Sequence, residues 1–159
     1  MQWSEYDNRL DGDTMRSSSH QALVLWIARK MAADGFVLSG YDGSVPQGGL
    51  WNCLPRPAEF GGVRPDAWGI KPATGELAVG EAKMPADIDT VHTRKQLWVF
   101  GRLRARKRSI PCRLYIAVPR SAAPVLDRVL AHVGLLCAKH VVRLHIPDCL
   151  VAEERDECA

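Results

Sequence analysis

Hydrophobic and polar positions along this chain change spacing several times, and each change predicts an element. Leu23, Trp26, Ile27, Lys30 and Met31 recur at helical intervals after Ser17-Ser18-Ser19, a run of good N-cap residues, and Asp34-Gly35 supplies a stop. Residues 36–41 then read as a short strand ended by Asp42-Gly43. Residues 63–70 and 76–83 are extended runs joined by the turn-rich Lys71-Pro72-Ala73-Thr74-Gly75, which predicts an antiparallel hairpin. After Met84-Pro85, Asp87 or Asp89 is expected to cap a helix running to about Lys107, with His92, Gln96, Val99 and Leu103 on one face. Residues 113–118 are nearly all apolar, as in an inner strand covered on both faces, and Pro119 ends them. Ser121 is expected to cap a helix with Val125, Leu126, Val129, Leu130 and Val133 as its core stripe, ending at Gly134. A last strand, 141–146, turns Val142, Leu144 and Ile146 inward before Pro147.

The order helix, three strands, helix, strand, helix, strand defines an α/β fold with a mixed sheet flanked by helices. At 159 residues the chain suits one domain, placed at residues 17–150. Polar, aperiodic residues 1–16 read as a flexible arm, and 151–159 as an acidic tail. Residues 42–62, broken by Pro46, Gly48, Gly49, Pro55, Pro57, Gly61 and Gly62, read as a long irregular loop of the kind that binds ligands.

With 47% hydrophobic and 25% charged residues, the composition excludes disordered and collagen-like classes for most of the chain. No stretch approaches the roughly 20 apolar residues of a membrane span, and the start lacks the basic and apolar runs of a signal peptide. The expectation is a cytoplasmic protein without membrane contact. Five scattered cysteines, Cys53, Cys112, Cys137, Cys149 and Cys158, form no C-x-x-C pair and read as reduced, mostly buried packing residues. The net charge of +3 is mild, but Arg102, Arg104, Arg106, Lys107 and Arg108 crowd one segment while acids gather at both ends. A basic middle between acidic tails suits a polyanion-binding surface.

Chemistry concentrates on the hairpin. Glu81 and Lys83, two apart on one strand, leave the same face, and Asp66 lies in the partner strand. A carboxylate from each strand can meet a divalent ion that takes oxygen ligands. Phosphodiester hydrolysis uses such a set: the metal activates water and neutralises phosphoryl charge, and a nearby ammonium orients the nucleophile or stabilises that charge.

Pro65-Asp66, fourteen residues, then Glu81-Ala82-Lys83 resembles the PD-(D/E)xK nuclease superfamily, which includes restriction endonucleases and Holliday junction resolvases. The resemblance spans roughly residues 17–118. It implies a restriction-endonuclease-like core of order αβββαβ, here followed by αβ. It further implies that Asp66, Glu81 and the Ala82 carbonyl hold Mg²⁺ or Mn²⁺, that Lys83 positions or activates water, and that Gln96 supports the set. Many members carry a glutamate in the first helix; here the corresponding face offers His20, Gln21 and Lys30 but no acid, which implies one firmly held metal rather than two.

His92, one turn before Gln96, is placed to reach the metal site or a substrate phosphate. Arg102 with Arg106, or Arg104 with Arg108, stack one turn apart and either track a phosphate backbone or compensate the helix dipole. Trp51 and Phe60 either stack on bases or pack onto the domain. The expected function is a Mg²⁺-dependent DNA endonuclease, homodimeric because one site cuts one strand. The alternative is a catalytically inactive nucleic-acid-binding or interaction subunit of a transposition, restriction or phage replication complex.

Overall fold

Small residues decide how the first helix meets the sheet. Helix α1 (Ser18–Ala33) buries Leu23, Val24, Ile27, Ala28 and Met31 against a strand, β3 (Glu76–Ala82), whose Ala78, Gly80 and Ala82 offer almost no bulk on that side. A Cβ at Gly80 would overlap Ile27 Cγ2. The computed structural model describes residues 18–43, 49–106 and 109–151. The flexible arm expected at 1–16 lies outside these residues, as does the tail beyond Val151, a residue that itself is buried against the α1 face.

Five strands form one mixed, open sheet in the order β1-β2-β3-β4-β5. Strand β1 (Val37–Tyr41) pairs antiparallel with β2 (Ala67–Lys71), and β2 with β3, which realises the expected hairpin. Strand β3 runs parallel to β4 (Arg113–Pro119), and β4 to β5 (Val141–Ile146). Helices α2 (Pro85–Ile88) and α3 (Val91–Phe100) make the first parallel crossover, and α4 (Ala123–His132) the second. Leu97, Phe100, Leu126 and Leu130 cover the sheet face opposite α1, packing on Val79, Leu114, Ile116 and Val118. Tyr115 and Ala117 of β4 turn to α1, so β4 is buried on both sides, as its apolar run requires.

Several boundaries differ from expectation. The helix expected to reach Lys107 divides at Asp89 and stops at Phe100. Neither Asp87 nor Asp89 caps α3; Thr90 does, its hydroxyl accepting from Thr93 N–H at 3.1 Å. Beyond Gly101 the chain doubles back, with Cys112 N–H donating to Leu103 O at 2.8 Å and Ala105 N–H to Ile110 O at 2.9 Å. The described part of the basic segment therefore occupies a returning loop past the helix end, and Arg102 and Arg106 are not set one helical turn apart; the expected pair of Arg104 with Arg108 reaches outside the described residues. Lys107 and Arg108 lie outside the described residues.

Ser121 is not the cap of α4. It sits in a 3₁₀ turn, Arg120–Ala122, where its N–H donates to Asp148 Oδ1 at 3.1 Å; Ala122 precedes the helix without a side-chain cap. The described residues of the loop at 42–62 are more ordered than expected. Gly49–Cys53 form a 3₁₀ turn, and Gly61 and Gly62, at φ +59 and +80, close a two-residue turn between bonded Phe60 and Val63. Residues 44–48 of that loop lie outside the described residues. Cys112 is buried, but Cys53, Cys137 and Cys149 are exposed, which corrects the expectation of mostly buried thiols; Cys158 is outside the described residues. Among the described residues no helix is long and apolar enough to cross a membrane.

Candidate active site

The hairpin register explains the spacing of the two acids. It pairs Lys71 with Glu76 and Ala67 with Gly80, so one further step sets Asp66 opposite Glu81. Asp66 N–H donates to Gly80 O at 2.9 Å, which holds Asp66 in line just before β2 begins. Alternation along β3 turns Val79 toward α3 and α4, and Glu81 leaves on that same face. Lys83 lies one residue past the strand, its N–H donating to Ala117 O at 3.0 Å, so the pleat continues far enough to keep it beside Glu81.

Helix α3 completes the group. Gln96, only 4% exposed, donates from Nε2 to Glu81 Oε1 at 3.0 Å and accepts on Oε1 from Lys83 Nζ at 2.7 Å. Lys83 Nζ also lies 2.8 Å from Glu81 Oε1. Glu81, Lys83 and Gln96 thus close a three-membered ring of polar contacts. Asp66 Oδ2 accepts from Ala82 N–H at 2.8 Å. The N–H and C=O of one strand residue face the same neighbour, so the Ala82 carbonyl lies on the Asp66 side as well.

Burial gives these contacts their weight. Asp66 and Glu81 are 2% and 3% exposed, and an ionised carboxylate taken from water needs a compensating cation or hydrogen bonds. Burial first, and then the charge of Asp66, push the Glu81 carboxyl up to about 7, against the opposing pull of Lys83. Glu81 Oε2 is buried with no hydrogen-bond partner among the described residues. An orphaned carboxylate oxygen beside a second buried carboxylate is what a divalent cation would satisfy, so the donor set fits one such ion. Among the described residues no group of three or more His, Cys, Asp or Glu side chains is arranged to hold a metal. An ion here would depend on two carboxylates, a backbone oxygen and water.

His20, near the start of α1, brings Nε2 to 3.4 Å from Asp66 Oδ2. The first helix therefore meets the site through an imidazole that steadies Asp66 rather than through an acid. All these side chains open on a cleft of about 540 Å³, whose outer wall includes Asp87, Thr90, His92 and Thr93.

The other candidate residues lie outside this ring of polar contacts. His92 is exposed on the cleft rim. Arg102 folds back on α3, with Nη2 donating to Val133 O at 3.0 Å and its guanidinium 4.5 Å over the Trp98 ring. Arg106 borders a separate groove of about 760 Å³ beside the β2–β3 turn, at the far end of β3 from Glu81. Trp51 packs down, its ring 6.2 Å from that of Tyr41, and Phe60 meets Trp68 edge-on at 5.8 Å. Trp98 is a candidate that spacing did not single out; it lies inside α3 on the side opposite buried Gln96 and is exposed.

Comparison with protein-family models, with curated proteins and with solved structures found no match to this chain. The site's chemistry therefore stands on its own geometry.

Proposed function

We propose that this chain is a divalent-metal-dependent nuclease that hydrolyses phosphodiester bonds in DNA through a PD-(D/E)xK site on a restriction-endonuclease-like core. The observation that carries the reading is the convergence of buried Asp66 and Glu81 with Lys83 and Gln96, one Glu81 oxygen being left without a partner among the described residues.

Asp66, Glu81 and the Ala82 carbonyl are the groups that would hold Mg²⁺ or Mn²⁺. Such an ion supplies an activated water and neutralises charge on the phosphoryl oxygens. His20 and the Ala82 N–H fix the Asp66 carboxylate, and the Gln96 amide fixes that of Glu81. Lys83 supplies a positive charge beside the cleft to orient the attacking water or stabilise the developing phosphorane charge. One such site cuts one strand, so scission of a duplex calls for two copies acting together, a homodimer, or for a larger nucleic-acid-processing complex.

A second reading, a DNA-binding subunit without catalysis, is favoured by one observation: among the described residues, side chains alone offer no three-ligand metal group. Incubation with supercoiled, linear, single-stranded and branched DNA, with Mg²⁺ or Mn²⁺ or with chelator, separates the two. The nuclease reading expects metal-dependent cleavage of at least one substrate, abolished by Asp66→Ala. Binding that persists in chelator, with no cleavage under either metal, selects the second reading.

A further inference from the structure

The solvent face of α3 carries a stripe that the site chemistry leaves unused. His92 stands on the cleft rim, Lys95 follows three residues on, Trp98 three further, and Arg102 just past the helix end. Each step of three residues turns the position by about 60°, so the stripe winds slowly across the helix, rising about 9 Å from His92 to Trp98. Nothing acidic interrupts it, since the helix Val91–Phe100 has no Asp or Glu.

Trp98 is 53% exposed, an unusual position for an indole whose burial would stabilise the fold. It is also braced. The Arg102 guanidinium lies 4.5 Å from the ring centroid, and Arg102 is anchored in turn, Nη1 donating to Trp98 O at 3.2 Å and Nη2 to Val133 O at 3.0 Å. An exposed indole held by a fixed cation loses little freedom when a flat ligand is laid on it.

We infer that the His92–Lys95–Trp98–Arg102 stripe receives an unpaired nucleic-acid strand, with Trp98 as a base-stacking platform next to the cleft. Three observations converge on this occupant: a flat aromatic surface for a base, basic groups without acids on the same helix for phosphates, and a start at the rim of the cleft. The inference rests on the nuclease reading for its link to the cleft, and it narrows the substrate to DNA with single-stranded character, such as a flap, a junction or a frayed end. Direct readout of a duplex needs an element seated in a groove, whereas stacking requires only an unpaired base.

The test is fluorescence anisotropy in chelator, where no cleavage occurs, with labelled T12, U12 and a blunt 12-base-pair duplex, using wild type, Trp98→Ala, Trp98→Phe and Lys95→Ala. Trp98→Ala is expected to weaken binding of single strands roughly ten- to a hundred-fold, Trp98→Phe to restore most of it, and duplex binding to move less than about twofold. Lys95→Ala is expected to lower the salt dependence of binding without changing the preference for single strands. Trp98 is exposed, so its variants should fold, and circular dichroism checks that they do. Equal losses on single strands and duplex, no loss on either, or no binding of any oligonucleotide by wild type would overturn the inference. So would a dimer-to-monomer shift in sedimentation by Trp98→Ala with single-strand binding intact, which would assign the face to a second copy. Because the assay needs no metal, a wild type that binds as expected but never cleaves would retire the nuclease reading and leave this one standing.

Discussion

Lys83 Nζ lies 2.8 Å from Glu81 Oε1, at the end of a strand where both side chains are largely withdrawn from water. The ammonium does not fully offset the cost of burying the carboxylate, because Asp66 adds a second negative charge to the same small volume. Two buried carboxylates thus share one ammonium, the feature on which the proposed divalent-ion site rests.

Stability should therefore depend on pH through Glu81. Its carboxyl titrates near 7 in the folded protein against an ordinary value of 4.5. Between those values the folded state binds more protons than the unfolded chain, so stability from this group is fully present below about 4.5 and is lost as pH rises through about 7. Urea unfolding in chelator at pH 5 and pH 8 should show wild type losing on the order of 1–3 kcal/mol relative to Glu81→Gln across that interval. Parallel pH profiles for the two proteins would contradict the assignment.

Metal binding should separate the three charged residues. Calorimetric titration with Mn²⁺ is expected to show much weaker binding in Asp66→Ala and Glu81→Ala, each of which loses a carboxylate of the proposed metal site. Lys83→Ala should bind the ion at least as well as wild type, because it removes a competing cation. Equal affinity in all three variants would be inconsistent with the roles given to them.

Gln96 should act through its neighbours. Its amide touches Glu81 at one end and Lys83 at the other, and partners of this kind typically contribute 10–100-fold to metal affinity or activity. Gln96→Ala is expected to lower the single-turnover cleavage rate by roughly that factor, with the fold retained. A rate indistinguishable from wild type would show that the ring of contacts does not position the site.

Gly80 joins the packing of α1 to the geometry of the acids. Its missing Cβ makes room for Ile27, and its carbonyl holds the Asp66 backbone. Gly80→Ala should destabilise the protein by about 1–3 kcal/mol. Ile27→Ala in the same chain should recover part of that loss, giving a coupling of about 0.5 kcal/mol or more in a double-mutant cycle. Simple additivity would mean that the strand moves instead of the side chain.

The sequence carried the hairpin because its information is local: a turn-rich segment between two extended runs, and alternation that turns Glu81 and Lys83 to one side. The arrangement of Gln96 was legible too, since helical spacing after Lys83 brings only a few residues back over the strand. What was not legible depends on distant contacts. The end of α3 at Phe100 is decided by the chain's return along Leu103 and Cys112 and by Gly101 packing closely on Leu135, none of which alters local periodicity. His20 was legible as one of three residues on the first-helix face, with Gln21 and Lys30; that it is the one beside Asp66 follows from how α1 lies on Ala78 and Gly80. The exposure of Trp98 follows from the same helical spacing, which sets it opposite Gln96.

The most direct test of the central claim is the nicking of supercoiled plasmid in Mn²⁺ by wild type and by Lys83→Ala, at metal concentrations that calorimetry shows to saturate both. The account predicts a linear accumulation of nicked product by wild type and a loss of roughly a hundredfold or more in the variant. No nicking by wild type, or equal rates in the two proteins, would contradict it.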